Sequence, residues 1–371
     1  MLYPLNFQIW VLISDIISNF MKNKLLLLLI TFFCTFPILN SQAKENKTSS
    51  KLSNKSSKEQ TQNPKISANS NLTNQYQNSF EIGIGRLNGK AQEIVYDGSK
   101  KLSHLDWALR DVKMLSLKFD RRLSEIFNIG FKYSNNIDHG SERGLMYDYD
   151  WLGQGYDGNI DENNWTHRSI SKLKVQKIQQ FKLTSSFNIF QEIFFANIGY
   201  NYDHFRWRDY AQDYIYSDYN PNTDTAFNFR QIKGNFGGKR AISYRQSFYA
   251  PFIGLTVKKT LLDKKLDLNF YANYSPIAKA IDYDKHHLRA LEFKEKFKQM
   301  QYYNYGFNLG GEIYQNLYAG LAFDFSYYPL KRGDTYTYYN SKVYFDPDSA
   351  GIRNKSQTLS FNLKYNFTSN Y

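Results

Sequence analysis

Cysteine is almost absent from this 371-residue chain. The one present, Cys34, lies inside the apolar run Leu25 to Leu39. The Thr31-Phe32-Phe33 that precedes it lacks the small residue of a lipoprotein cleavage site. The run follows Lys22 and Lys24 and ends near Ser41-Gln42-Ala43, the three-part pattern of an export signal, here residues 21–43 with a start at Met21. Residues 1–20 read as an upstream mis-start, because Asp15 interrupts their apolar pattern. The run is short for the roughly 20 residues that a membrane-spanning helix needs. Removing the signal removes the only thiol, which excludes a disulfide framework, a cysteine nucleophile and a thiolate metal site.

Aromatic residues are nearly missing from residues 44–79, where Ser, Asn, Lys, Gln and Thr dominate. Such a stretch cannot bury enough apolar area to offset its ordering entropy, so it reads as a disordered periplasmic lead. Long hydrophobic runs are the third absence. After residue 79 none is long enough for a membrane helix, although Phe, Trp and Tyr make up 18% of the whole chain.

The formal charge is +13, and residues 80–371 keep 39 Lys and Arg against 31 Asp and Glu. A basic surface favours anionic partners. For an exported chain without a nucleic-acid motif, that means lipid head groups rather than nucleic acid.

What is present is alternation. Phe127, Ile129, Phe131 and Tyr133 are interleaved with Asn128, Gly130, Lys132 and Ser134. The same period of two runs through Leu266 to Tyr274, Tyr303 to Leu309, Leu317 to Phe325 and Leu359 to Phe367. One apolar and one polar face, repeated, is the signature of strands. A soluble sandwich would alternate too. The export signal, the Tyr and Phe near strand ends, and segments near the roughly 10 residues that cross an outer membrane favour an all-β transmembrane antiparallel barrel over residues 80–371.

Short turns near 121–125, 189–192, 261–265 and 314–316 alternate with long polar stretches near 88–104, 135–170, 204–245, 275–298 and 331–356. The count predicts about ten strands with long extracellular loops, and with both ends of the barrel segment on the periplasmic side. A barrel of that size has an interior largely filled by side chains, which argues against a porin.

Two of the polar stretches carry titratable side chains two residues apart, a spacing that puts them on one face of an extended backbone. Asp284 and His286 form a carboxylate–imidazole pair suited to hydrolysis. Asp148 and Asp150 form a second pair, between the third and fourth strands. The first lies between the seventh and eighth, so the two face each other across the barrel mouth. Alternation sends Lys285, between the dyad members, to the opposite face. A transition-metal site from His286, His287 and an acid is the weaker reading of that segment, and no metal is expected.

At this point the chain resembles the omptins, outer-membrane endoproteases of Gram-negative bacteria. The likeness runs from about Phe80 to Phe367, strongest in Leu105-Asp106-Trp107, Gly144 to Trp151, Tyr214-Ile215-Tyr216, Arg240 to Leu255 and Asp282 to His286. It implies an outer-membrane location with the active site facing the exterior. It also implies hydrolysis by a water bound and activated by Asp148, Asp150, Asp284 and His286, without a covalent intermediate. His286 would be the general base, Asp284 its orienter, and the acid pair would hold water and handle protons.

The resemblance further implies a pocket for a basic substrate side chain at Glu93 and Asp282. An acid for the other side of the cut falls near Asp161, Glu162 and Asn163, and His167 aligns with a histidine near the site. No cofactor is implied beyond lipopolysaccharide as an activating lipid. Tyr200 and Lys298 match its contact positions, while His204 and Ser247 stand where arginines are expected and Arg206, Arg208 and Arg245 lie close enough to substitute. Cationic peptides or proteins are the expected substrates, with a monomer assumed. The alternative from another class is a non-catalytic barrel that serves as an adhesin or receptor.

Overall fold

The computed structural model describes residues 76–153, 164–261 and 266–369. The expected mis-start and signal, most of the polar lead, and Asp161, Glu162 and Asn163 lie outside these residues. Twelve strands are described: β1 (Tyr76–Asp97), β2 (Lys100–Arg122), β3 (Phe127–Asn136), β4 (Ser141–Asp150), β5 (His167–Phe190) and β6 (Phe194–Asn220), then β7 (Thr225–Lys239), β8 (Ile242–Leu261), β9 (Leu266–His286), β10 (Leu291–Tyr314), β11 (Leu317–Tyr339) and β12 (Lys342–Ser369). The first opens at Tyr76, four residues before the expected start. There Tyr76 pairs with Ser369, and Asn78 with Phe367 and Arg121.

All neighbours are antiparallel, and the pairings of β1 with β12 and of β5 with β6 close the sheet on itself. Ten positions make up the ring. β2 and β5 pair with β3 in their lower halves and with β4 in their upper halves, so β3 and β4 are one wall strand in two pieces. Likewise β6 pairs first with β8 and then, toward its tip, with β7. Closure leaves no open edge in the ring, which a sheet in lipid requires, and β7, at the tip of β6, pairs with β6 alone. No described helix is long and apolar enough to cross a membrane, a statement that does not bear on strands.

The alternating apolar residues face outward. Phe80, Ile84, Ile198, Leu255, Phe270 and Leu321 are all exposed, as a lipid-facing band demands. Above that band, tyrosines of adjacent strands touch around the outside: Tyr202 with Tyr249 at 5.3 Å, Tyr274 with Tyr303 at 5.2 Å, and Tyr303 with Tyr327 at 6.3 Å between ring centroids. Such a girdle marks the outer lipid interface.

Most strands do not stop there, and this corrects the expectation of long loops. Residues 88–104 form a β1–β2 hairpin that turns at Gly98 and Ser99, residues 331–356 form a β11–β12 hairpin that turns at Asn340 and Ser341, and β9 and β10 continue to a turn at 287–290. The reason is solvent. Above the lipid both faces of a strand can be polar, so hydrophobic alternation fades while the backbone ladder persists.

The interior is layered. Midway, Trp107, Trp207 and Tyr244 stack at 4.8 to 5.9 Å, and Phe248, Tyr328 and Tyr302 stack beside them. Below this aromatic plug lies a polar lumen with a cavity of about 750 Å³ open toward the short turns. The catalytic candidates lie above it.

Candidate active site

On β9 the inward positions are Ala278, Ala280, Asp282, Asp284 and His286. The two alanines are nearly inaccessible and the acids are 0% and 2% exposed. Small residues low on the strand leave room for the aromatic plug, and the acids begin where the plug ends. Lys285 points the other way, is exposed and pairs with Glu292, so it does not enter the cleft. His287 also turns away, its Nε2 lying 2.9 Å from Ser243 Oγ. The two adjacent histidines therefore do not converge on one metal, and no metal-holding group of His, Cys, Asp or Glu occurs among the described residues.

His286 Nε2 lies 2.5 Å from Asp284 Oδ2, and Arg289 Nη2 lies 2.6 Å from His286 Nδ1. Guanidinium can only donate, so these partners place the imidazole proton on Nε2, donating to Asp284, and a lone pair on Nδ1. Phe293 meets the ring edge-on at 5.4 Å and limits its rotation. Asp284 Oδ1 receives no hydrogen bond.

The acid pair rests on a distortion of β4. Gly144 has φ +155°, and a Cβ there would meet Ala108 O of β2 at 1.9 Å, so no larger residue fits. The shift of register between Glu142 and Leu145 against β5 re-aims the strand. Asp148 then pairs with Leu105 and Asp150 with Ser103 across β2. Ser103 Oγ donates to Asp148 Oδ1 at 3.3 Å. Behind them Tyr149 packs on Trp165, and Arg230 lies 3.8 Å over that indole, which braces the far side of the segment. Burial, then the charge of Asp150, pushes the Asp148 carboxyl well up; burial raises Asp150 too, opposed by Ser103, His167, Arg289 and His286. Arg289 and His286 lie on the opposite wall, so the halves separated in sequence do share one cleft. His167 is at its edge, paired with Asp150 and set against Tyr216 at 4.8 Å.

Glu93 and Asp282 also come together. Both are buried, and Glu93 Oε2 and Asp282 Oδ1 have no donor. Asp282 Oδ2 accepts from Tyr244 Oη at 3.0 Å, in a relay that runs from Asn354 through Gln246. Burial pushes Asp282 up to about 7 and Glu93 well above the carboxylate range. Sequence reasoning missed four neighbours: Glu295, Asp209, Ser103 and Arg289. Glu295 and Asp209 carried a signal, each an acid two residues after an inward aromatic, Phe293 and Trp207 respectively. Burial raises Asp209 to about 6 although the Ile242 amide donates to it.

The lipid-contact candidates stay outside the barrel. Tyr200 is exposed on the lipid-facing wall, and Lys298 is exposed on β10. Arg206 and Arg245 are direct cross-strand partners, flanked in the same row by Lys177 and Tyr283, with Arg245 3.8 Å over the Tyr283 ring. His204 Nδ1 is 2.9 Å from Ser247 Oγ. Arg208 lies one position along β6 from the inward Asp209.

The profile of the omptin family matches residues 74–367. The chain belongs to the omptin family. It is 30% identical over 301 residues to the plasminogen activator of Yersinia pestis, covering 78% of this chain and 90% of that one. It is 27% identical over 299 residues to protease 7 of Escherichia coli K12, covering 77% and 89%. Its fold superposes on the crystal structure of outer membrane protease OmpT from Escherichia coli with a TM-score of 0.68, at 24% identity over 78% of this chain and 97% of that one. As an omptin the protein is an outer-membrane β-barrel endoprotease.

Proposed function

We propose that this omptin cleaves peptide bonds next to arginine or lysine. In this reading a water held between the Asp148–Asp150 pair and His286 attacks the carbonyl carbon directly. His286 Nδ1 accepts the water proton as the C–O bond forms, Asp284 stabilises the imidazolium, and the proton then passes to the departing amine as the C–N bond breaks. Arg289, on an exposed turn, must leave Nδ1 first. Glu93 and Asp282 receive the basic side chain through charge-assisted hydrogen bonds.

The observation that carries the reading is the Asp284–His286 contact, which shares one cleft with the Asp148–Asp150 pair and has below it two buried acids, Glu93 and Asp282, that each keep one oxygen without a donor. Barrel refolded in detergent with lipopolysaccharide should cut a fluorogenic Arg-Arg or Arg-Lys peptide. His286→Ala and Asp148→Ala should each abolish that activity while the barrel still folds, and undiminished cleavage by either variant would refute the assignment.

Lipopolysaccharide is the proposed activating lipid. Cations directly opposite on adjacent strands repel, so the Lys177, Arg206 and Arg245 row is suited to an anionic head group at the lipid rim. Tyr200 and Lys298 would extend the contact along the outer wall.

A further inference from the structure

Glu295 has no role in the mechanism above, yet it is 2% exposed on the inward face of β10, between Phe293 and Phe297. Its register partner on β9 is Asp282, and the two carboxyl groups are within hydrogen-bond reach. Thr335 Oγ1 donates to Glu295 Oε1 at 3.3 Å and receives from Ser349 Oγ at 2.8 Å. The other oxygen, Oε2, has no donor, as is true of Glu93 Oε2 and Asp282 Oδ1.

The charged and titratable groups around it are Glu93 from β1, Tyr244 from β8, and Asp282 and Asp284 from β9, with Asp148 across the cleft. None is a cation. Lys294 and Lys296 alternate to the outer face, over the rings of Tyr283 and Tyr336. An acid buried only for stability would be expected to have a basic partner, because an unpaired buried charge is strongly unfavourable.

We propose that Glu295 is a third carboxylate of the pocket for the basic side chain, and that it shares with Asp282 a proton which the incoming cation displaces to solvent. This rests on the reading of Glu93 and Asp282 as that pocket. In the empty state burial raises all three acids, and the charges of neighbouring carboxylates add to it at Glu93 and Glu295, so the pocket keeps a proton near neutral pH. A guanidinium or ammonium supplies the missing charge and the missing donors, and the proton leaves. Affinity for a basic residue therefore rises with pH.

The test is KM against pH for a quenched peptide with arginine before the cut, using the folded barrel with lipopolysaccharide. Wild-type KM should fall about tenfold from pH 6 to pH 8, the dependence expected for release of one proton. Glu295→Gln should raise KM about tenfold at pH 8 and flatten the dependence, with the smaller part of the loss in kcat. Glu295→Asp should restore the slope. A Glu295→Gln profile that overlays the wild type while Glu93→Gln raises KM would overturn the proposal and leave the pocket standing. Unchanged KM in Glu93→Gln and Asp282→Asn as well would remove the pocket reading and the proposal with it. A second measurement needs no change at Glu295. Titrating an arginine peptide into the His286→Ala barrel at pH 6, in buffers of different ionisation enthalpy, should show release of close to one proton, and release of none would overturn the proposal.

Discussion

Acids line the barrel interior above and below the aromatic plug, and the barrel treats them in opposite ways. Below it, Asp324 receives Lys182 at 3.2 Å, Tyr271 at 2.5 Å and Asn304 at 3.2 Å, while Asp120 has Lys118 at 2.7 Å. Above it, Glu93, Asp282, Asp284 and Glu295 each keep an oxygen without a donor, and the cation found in the cleft among the described residues, Arg289, sits on an exposed turn. The lower acids are satisfied within the wall and hold strands together. The upper acids are left unsatisfied, a stability cost that a ligand with positive charge and donors, as in the proposed pocket, would offset. Even on the outer surface at the same height the difference holds: Asp106 is bound by Lys90 at 2.8 Å, Gln92 at 2.7 Å and His104 at 3.1 Å, and these contacts keep it well below the usual range despite burial.

The contrast can be broken first at the dyad. Asp284→Asn should lower kcat by about 10³-fold, because the amide cannot stabilise the imidazolium, with the thermal transition unchanged or raised. Loss of folding instead would place Asp284 with the structural acids. In the lower lumen the opposite outcome is expected. Asp324→Ala strands Lys182 and should destabilise the barrel by about 3 kcal/mol in denaturant unfolding, with little change in activity per folded molecule.

A subtler comparison uses pH. The folded-state values of Asp282, Glu93 and Glu295 lie above those of free carboxyl groups, so the folded form binds more protons than the unfolded one. Their stabilising contribution is full below about pH 4 and is lost as pH rises through the folded value, about 7 for Asp282. Stability without substrate should therefore fall by roughly 2 kcal/mol from pH 5 to pH 8, and Glu93→Gln should reduce that fall. A rise over the same window would show that the upper acids are paired after all. The smallest effect is expected at Arg289. Its contact with Nδ1 is exposed and worth little, so Arg289→Ala should raise kcat/KM no more than about threefold, and a large loss would mean that Arg289 holds substrate rather than capping the base.

The outer wall of the barrel was legible because lipid makes one face of every strand apolar, as at Phe127 to Tyr133. The upper halves of β1, β9 and β11 were not, because water imposes no such alternation, and residues expected in loops are strands. The pairs Asp148 with Asp150 and Asp284 with His286 were visible from spacing alone. Glu295 and Asp209 left a fainter mark, an acid two residues after an inward aromatic, much as Asp282 follows Ala278 and Ala280. Arg289 left none, since a turn side chain reaches His286 only through the geometry of the β9–β10 hairpin.

The sequence by itself determined the period of two, the sparse thiol chemistry and the charges available, because these depend on residue identity and nearest spacing. The tertiary structure decided which acids stand unpaired and which face one another. Glu93, Asp148, Asp284 and Glu295 come from β1, β4, β9 and β10, and only closure of the ring and the register of each pair of strands bring their side chains to one height and one side.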